Sequence, residues 1–507
     1  MSTAQSSTGG EEAGAPIRTV AGTGAAGFKG DGEAAVSAQV NRPYGVAVDS
    51  AGTLYFSDLN NHRVRKVTTD GRISTVAGTG VAGFSGDNGP ATAAQLNWPR
   101  EVAVDGAGAV YIADGNNHRV RKVTPNGRIS TVAGTGAAGF SGDDGPAVAA
   151  RLNLPMGVAV DSGGALYISE YYTNRVRRIT TDGRISTFAG TGAVGAGGDA
   201  GPAASAQLNR PHALAIDDTG ALYIADYANH RIRKVTADGE ISTVAGTGTA
   251  GFSGDDGPAT SARLNGPVGV VADSAGVLYI ADYGNHRVRM VAADGRISTV
   301  AGTGTAGFGG DGGAAGKAQL YHPYGLAVDC VDTLYVADHV NNRVRRVASV
   351  RLAGLPDSGT VVSWANVRSR LRMGVVRESV RDGAEVHQLL AVPRDHQRWR
   401  VVAAGRHEGD VLYRIENVRS GKVLEVVGAQ ARSGAVIAQR GYEGPEAHHQ
   451  QWRLIPVGEV DGVPRVFEIA NRNSGLLLRA DTNARVAITQ DGSEGDHQSR
   501  QWQLLPA

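Results

Sequence analysis

Ile17, Ile73, Ile129, Ile185, Ile241 and Ile297 each open a copy of I-[RS]-T-[VF]-A-G-T-G, and each lies 56 residues from the next. Six copies without slippage reach from residue 17 to about residue 350. A chain repeated this strictly must bury one copy against the next, so the unit decides the fold. Within a copy, GVAVD (45–49), TLYFSD (53–58), RVRKV (63–67) and ISTVA (73–77) are short, rich in Val, Ile and Tyr, and bounded by Gly, Asp or Asn. Those are four strands, lettered a to d. Four-stranded units at a fixed period above about 40 residues predict a β-propeller, and six copies predict six blades.

The phase of the repeat adds a constraint. The chain enters at a strand d (IRTVA, 17–21), and its last copy ends after a strand c (RVRRV, 343–347). The sixth blade is therefore expected to take its outer strand from the N-terminus, which removes two exposed edges. The organisation expected for the 507 residues is all-β: a flexible tail at 1–16, a propeller at 17–350, a linker at 351–359 and a second β domain at 360–507.

Lys plus Arg (50) nearly cancels Asp plus Glu (49), so no overall field favours nucleic acid or an anionic membrane. One cysteine, Cys330, excludes an internal disulfide framework and a cysteine-built metal site. The first sixteen residues lack the basic and apolar segments of a secretory signal, and no apolar run approaches the roughly 18 residues that cross a bilayer. The expectation is a soluble, cytoplasmic monomer without a cofactor.

N-H-R-[VI]-R-[KM] follows an L-Y-I-A-D-like strand around His62, His118, His230 and His286, with Asn174 and Asn342 replacing His in copies three and six. This pattern resembles NHL-repeat propellers over about two thirds of the chain. The extra length of each unit sits between strands d and a, as GFSGDxGPAxxAxLNxP, where Asp before Gly-Pro-Ala suggests a short, side-chain-capped helix in every copy.

Positions shared by all copies are expected to be frame, and positions that vary at one phase to be face. The Asp31, Asp49, Tyr55, Arg63 and Arg65 series recur throughout, and the Asp58 series is the expected partner of Arg63. Beside the shared proline before strand a, the chain varies: Arg42 and Tyr44, Trp98 and Arg100, Leu154 and Met156, Arg210 and His212, Gly266 and Val268, His322 and Tyr324. After strand b it varies again, as Leu59, Gly115, Tyr171 with Tyr172, Tyr227, Tyr283 and His339. Both sets belong on one face of a propeller. From them Arg42, Tyr44, Trp98, Arg100, Tyr171, Tyr172, Arg210, His212, Tyr227, Tyr283, His322, Tyr324 and His339 are expected to form an exposed ligand-binding surface, since aromatics beside arginine give large contact area at low entropic cost.

Beyond residue 360 lie four of the five tryptophans, and Gln397-Arg-Trp399, Gln450-Gln-Trp452 and Arg500-Gln-Trp502 close three units about 50 residues apart. Three such Q-x-W units resemble the ricin-type β-trefoil, where Gln and Trp belong to the core. The resemblance implies sugar binding through an acid after an early Leu and a nearby aromatic. The acid position is expected at Arg372, Glu425 and Arg479, and the aromatic position at Leu389, Gln439 and Thr489. Only the middle unit keeps a carboxylate, so Glu425, Gln439 and a displaced Tyr442 form the candidate carbohydrate site.

The function expected is non-catalytic recognition or scaffolding, the propeller face binding protein, peptide or glycan and the trefoil binding carbohydrate. The alternatives are a propeller enzyme of lactonase or lyase type with a channel metal, for which only His212, His322 and His339 are candidate ligands, from blades two apart and with no partner acid among the varying positions, and RNA binding through Arg42, Arg100 and Arg210. Six loop aspartates argue against nucleic acid.

Overall fold

The computed structural model describes residues 15–348, apart from 50, 218, 274–275 and 330–332, and residues 360–506 with several breaks. Residues 1–14 of the expected tail, the expected linker and Cys330 lie outside the described residues, whereas Ala15 and Pro16, expected as tail, accept backbone hydrogen bonds from Ala315 and Ala348 at 2.8 and 3.0 Å. The first part is a ring of six antiparallel sheets. Blade one is typical: strand a at Pro43–Val48, b at Leu54–Asp58, c at Arg63–Val67 and d at Ile73–Ala77. In blade six, Pro323–Val328, Leu334–Asp338 and Arg343–Val347 are joined by Ile17–Ala21, whose Ile17 faces Val347 in the ladder. Antiparallel pairing of the chain's early strand with its late one thus closes the ring.

Core forms between blades. Tyr111, Ala113 and Val120 of blade two pack with Leu166, Ile168 and Ile185 of blade three, and Ala147, Ala150 and Leu152 from the intervening loop wedge between them. Ala147 opens a single 3-10 turn, Ala147–Ala149, and Ala150 follows it; the turn has counterparts in all six loops. The expected side-chain cap is absent; the residue before the turn is Pro or Ala with extended backbone. The loop aspartate has another task. Asp31 accepts from Arg65 at 2.7 Å and from the Thr75 hydroxyl at 2.6 Å, which ties the loop to strands c and d.

Arg65, Arg121, Arg177, Arg233, Arg289 and Arg345 are all fully buried. Each joins its loop aspartate to the acid ending strand b, as Arg65 joins Asp31 to Asp58, the latter at 3.5 Å. The acid's partner is therefore Arg65, diagonal to it across the strands, and not the expected Arg63. Although Arg63 stands opposite Asp58 in the ladder, its guanidinium lies 3.7 Å from the centre of the Phe28 ring and donates to the Thr79 carbonyl. Five blades repeat this stack; copy four carries Ala196 where the others have Phe. Asp49 is also frame: it accepts the Thr53 amide at 2.8 Å and the Tyr55 hydroxyl at 3.2 Å.

The second part is a single extended β network. Trp364, Trp399, Trp452 and Trp502 are fully buried at its centre with Met373, Leu424 and Leu478. Trp399, Trp452 and Trp502 donate their indole N–H to the carbonyls of Met373, Leu424 and Leu478 at 3.0, 3.0 and 3.2 Å. The Q-x-W tryptophan thus pins the early strand of its own unit. Among the described residues no helix is long and apolar enough to cross a membrane.

Candidate recognition face

Arg42, Trp98, Leu154, Arg210, Gly266 and His322 precede the proline of strand a, and all six adopt φ between 51° and 60°. A residue before proline prefers extended backbone, and left-handed backbone costs a residue with a Cβ roughly 1–2 kcal/mol. A hydrogen bond from the preceding blade fixes it. The amides of Trp98, Leu154, Gly266 and His322 donate to Nδ1 of His62, His118, His230 and His286 at 3.3, 3.1, 2.9 and 3.2 Å. The amides of Arg210 and Arg42 donate to Oδ1 of Asn174 and Asn342, both at 2.9 Å. This explains the exchange of His for Asn in copies three and six: each presents an acceptor at similar reach, and each tolerates the left-handed conformation it holds here, φ 49–54°. Acceptance at Nδ1 requires a neutral ring, and burial holds these four histidines below their ordinary pKa.

Held this way, Arg42, Trp98 and Arg210 are exposed, and Leu154 and His322 are half-buried. They form an outer rim with Tyr172, which is 60% exposed. The residues after the proline go elsewhere. Tyr44, His212 and His339 are buried at 2%, 3% and 6% exposure, and Tyr324 is half-buried. Tyr44 and Tyr324 have ring centres 3.9 Å apart, the Tyr44 hydroxyl is 3.4 Å from His212 Nδ1, and the Tyr324 ring is 5.1 Å from His339. These side chains converge from blades one, four and six into an aromatic plug across the ring axis. The expectation that they are surface is corrected: where six strands converge, the axis is filled by contact between side chains. Burial pushes His212 down to about 3, His339 to about 4 and Tyr44 up to about 12, so all three are neutral near pH 7.

Tyr171, Tyr227 and Tyr283 lie between the two tiers and are half-buried. Tyr171 and Tyr227 lean on His212 at 5.5 and 4.7 Å, while Tyr283 stacks on His322 at 4.1 Å. A Cβ at Gly266 would come within 2.8 Å of the Tyr227 ring, so the glycine there lets this tyrosine lie flat. Arg100 lies 5.0 Å from the Tyr44 ring and 5.3 Å from that of Trp98, bridging plug and rim. The next residue is a missed acid. Glu101 is buried at 8% exposure, where the other copies have Gly45, Gly157, Ala213, Gly269 and Gly325; a lone charged side chain among small residues was the available signal. Among the described residues, no three His, Cys, Asp or Glu side chains gather as around one ion.

In the second domain, Glu425 and Gln439 are buried at 1% and 0% exposure. Glu425 accepts from Arg440 Nε at 2.9 Å, and its other oxygen is 3.5 Å from Gln450 Nε2 and 3.6 Å from His449 Nε2. Gln439 accepts from Ser420 and donates to the carbonyls of Ser379 and Arg381 at 2.9 and 3.1 Å. Neither side chain is an open acceptor for a sugar, which corrects the expected site; Tyr442 alone is exposed, with the Arg414 guanidinium 4.8 Å from its ring centre. The unit alignment shifts as well. Since Trp399 pins Met373 as Trp452 pins Leu424, the first unit's counterpart of Glu425 is Gly374 and not Arg372. Met373, Leu424 and Leu478 stand opposite Gln388, Gln439 and Gln490, so a glutamine, not the expected Leu389 or Thr489, occupies this register in every unit.

Residues 351–440 match the family described as ricin-type beta-trefoil lectin domain-like. Residues 19–83 and 81–140 match the Teneurin NHL domain, and 208–235 and 264–289 match the NHL repeat. The chain is 34% identical to Teneurin-4 of Mus musculus over 287 residues, covering 49% of this chain and 10% of that protein. It is 34% identical to Teneurin-m of Drosophila melanogaster over 229 residues, covering 41% and 8%. The chain thus spans about a tenth of the length of these relatives. A Bacteroides thetaiotaomicron structure, titled a structural genomics protein of unknown function, shares the fold at a TM-score of 0.50 and 20% identity, over 66% of this chain and 76% of that one. The chain carries NHL repeats in a six-bladed β-propeller and, at residues 351–440, a ricin B-like lectin domain.

Proposed function

We propose that this chain is a non-catalytic recognition protein whose propeller binds a protein or peptide on the rim formed by Arg42, Trp98, Leu154, Tyr172, Arg210 and His322, with Tyr171, Tyr227 and Tyr283 as its inner margin. One observation carries the reading. Six positions share the same left-handed backbone and the same inter-blade hydrogen bond, yet hold five different residue types, with three of the six positions exposed. A frame that fixes the backbone and frees the side chain suits a contact surface, and Trp, Tyr and Arg are the residues that dominate such contacts. The lectin-like match supports a carbohydrate as second ligand, contacted around Tyr442 rather than at Glu425. Two modules in one chain bind a two-part target with avidity.

The test is peptide and glycan array binding by the full chain and by a Trp98→Ala, Tyr172→Ala, Arg210→Ala triple variant. Loss of peptide binding by more than about tenfold, at unchanged circular dichroism, supports the rim. Full retention of binding by the triple variant overturns it.

A further inference from the structure

Beyond the plug, strand a of every blade lines a central cavity of about 300 Å³. Its wall is aliphatic: Val46 to Val48, Val102 to Val104, Val158 to Val160, Ala213 to Ile216, Val270 to Ala272 and Leu326 to Val328. Glu101 is the single ionisable side chain in that wall. It lies at the plug end of its strand, one residue after Arg100 in sequence, and the backbone amides of Val102 and Val46 are directed at its carboxyl. A virtual Cβ on Gly45 comes 2.7 Å from Glu101 Oε1, so the carboxyl reaches across to the neighbouring blade, where a glycine leaves room for it.

A carboxyl group in an aliphatic wall is costly to ionise without a counter-charge. Burial alone holds it up to about 8, and no cation acts on it appreciably. In the plug, Arg100 bears on both Tyr44 and His212, and Glu101 bears on Tyr44. Two amides satisfy only part of the carboxyl's acceptor capacity, and Glu101 lines the cavity. The volume is at the low end of pockets that hold small molecules.

We infer that the channel is a binding site for a small apolar amine, its ammonium group paired with Glu101 and its hydrocarbon body against the Val, Ala, Leu and Ile wall. The site is separate from the rim and does not depend on it. The carboxyl's proton leaves to solvent as the ammonium ion takes its place, so binding at pH 7 releases up to one proton. Arg100 keeps its place over Tyr44 and Trp98.

Calorimetry of the full chain with butylammonium, cyclohexylammonium and benzylammonium, in buffers of differing ionisation enthalpy, reads both affinity and proton release. n-Butanol, cyclohexanol and benzyl alcohol test whether the charge matters. The expected result is saturable binding of at least one amine with a stoichiometry of one, released protons at pH 7 that disappear above pH 9, and binding at least tenfold weaker for the matching alcohol. Glu101→Gln should abolish it. Glu101→Ala, which places in blade two the residue that blade four carries as Ala213, should do the same in a chain that folds normally. No binding by any of the three amines overturns the inference, as does equal affinity in Glu101→Ala or tighter binding of the alcohols than of the amines.

Discussion

On either side of one proline, repeated six times, stand two residues with opposite fates. The residue before it is bent into left-handed backbone and sent outward, giving Arg42, Trp98 and Arg210 an exposed rim; the residue after it is turned to the axis, giving Tyr44, Met156, His212 and Val268 a buried plug. Both positions vary in identity. Variation within a repeat therefore marks freedom from the repeat's own frame, and that freedom has two sources: contact with solvent, and contact at the symmetry axis, where there is no room for six copies of one large side chain and only blades one and six both place a Tyr.

The largest effect that would break this contrast is on stability. Replacing Tyr44 and Tyr324 by Ala opens the plug and should cost roughly 3–5 kcal/mol for the first substitution, with a non-additive second because the rings touch. Trp98→Ala with Tyr172→Ala should stay within about 1 kcal/mol in total. Urea unfolding of the two double variants checks this, and equal losses would dissolve the distinction between plug and rim.

Next in size is the pH dependence contributed by Glu101. Its folded pKa of about 8 lies above the ordinary glutamate value of 4.5, so the folded state holds a proton that the unfolded chain gives up. The contribution is fully present below pH 4.5 and is lost as pH rises through 8. Glu101→Gln should therefore gain on the parent as pH rises across that window, by as much as a few kcal/mol, and melting curves of the pair at pH 4 and pH 9 show it. Parallel pH profiles would mean that the carboxyl is solvated.

A smaller effect probes what holds the rim. His62, His118, His230 and His286 have pKa values below the ordinary 6.5, so their contribution is present above that value and fades as pH falls beneath it. Each hydrogen bond at stake is worth about 1 kcal/mol. Changing all four to Asn, as the chain itself has at Asn174 and Asn342, should flatten stability between pH 6.5 and 5 relative to the parent. An unchanged slope would show that the Nδ1 contacts carry little.

Smallest is the strain itself. Arg42→Gly removes a Cβ from left-handed backbone at an exposed position and should be neutral or stabilising by up to about 1 kcal/mol, whereas Gly266→Ala drives a Cβ to 2.8 Å from the Tyr227 ring and should destabilise. Chemical denaturation of these two variants settles the sign.

Periodicity made the blades, their strands, the closing strand d and the core tryptophans legible, because strand alternation and turn residues are local properties. What it could not reach depends on diagonal and cross-blade geometry. Arg63 and Arg65 share one face of strand c, and only the three-dimensional lean of the strands decides that Arg65 takes Asp58 while Arg63 stacks on Phe28. Tyr44 and His212 read as surface because the ring axis has no signature in the sequence. The trefoil slip from Gly374 to Arg372 has another origin: the first unit's early strand carries Met373 where the others carry Leu424 and Leu478, so a search for Leu locks two residues too early. Glu425 was recognisable by position, but Arg440 beside it was not, since their contact joins two strands of a hairpin.

The closing strand also sets an order of events during synthesis. Ile17–Ala21 pairs with Arg343–Val347, so the first blade edge to leave the ribosome waits for a partner made more than 320 residues later. At about 5–20 residues per second that is roughly 15–65 s. For that interval the early blades can stack as an open arc, each protected on one side, while the edge of blade one and the solitary strand stay available to any other chain with a free edge. Arg18, exposed in the finished ring, puts a charge in that waiting strand, the kind of residue that discourages pairing with the wrong partner. A nascent chain held short of Val347 should therefore be a horseshoe, and its liability is association with its own kind.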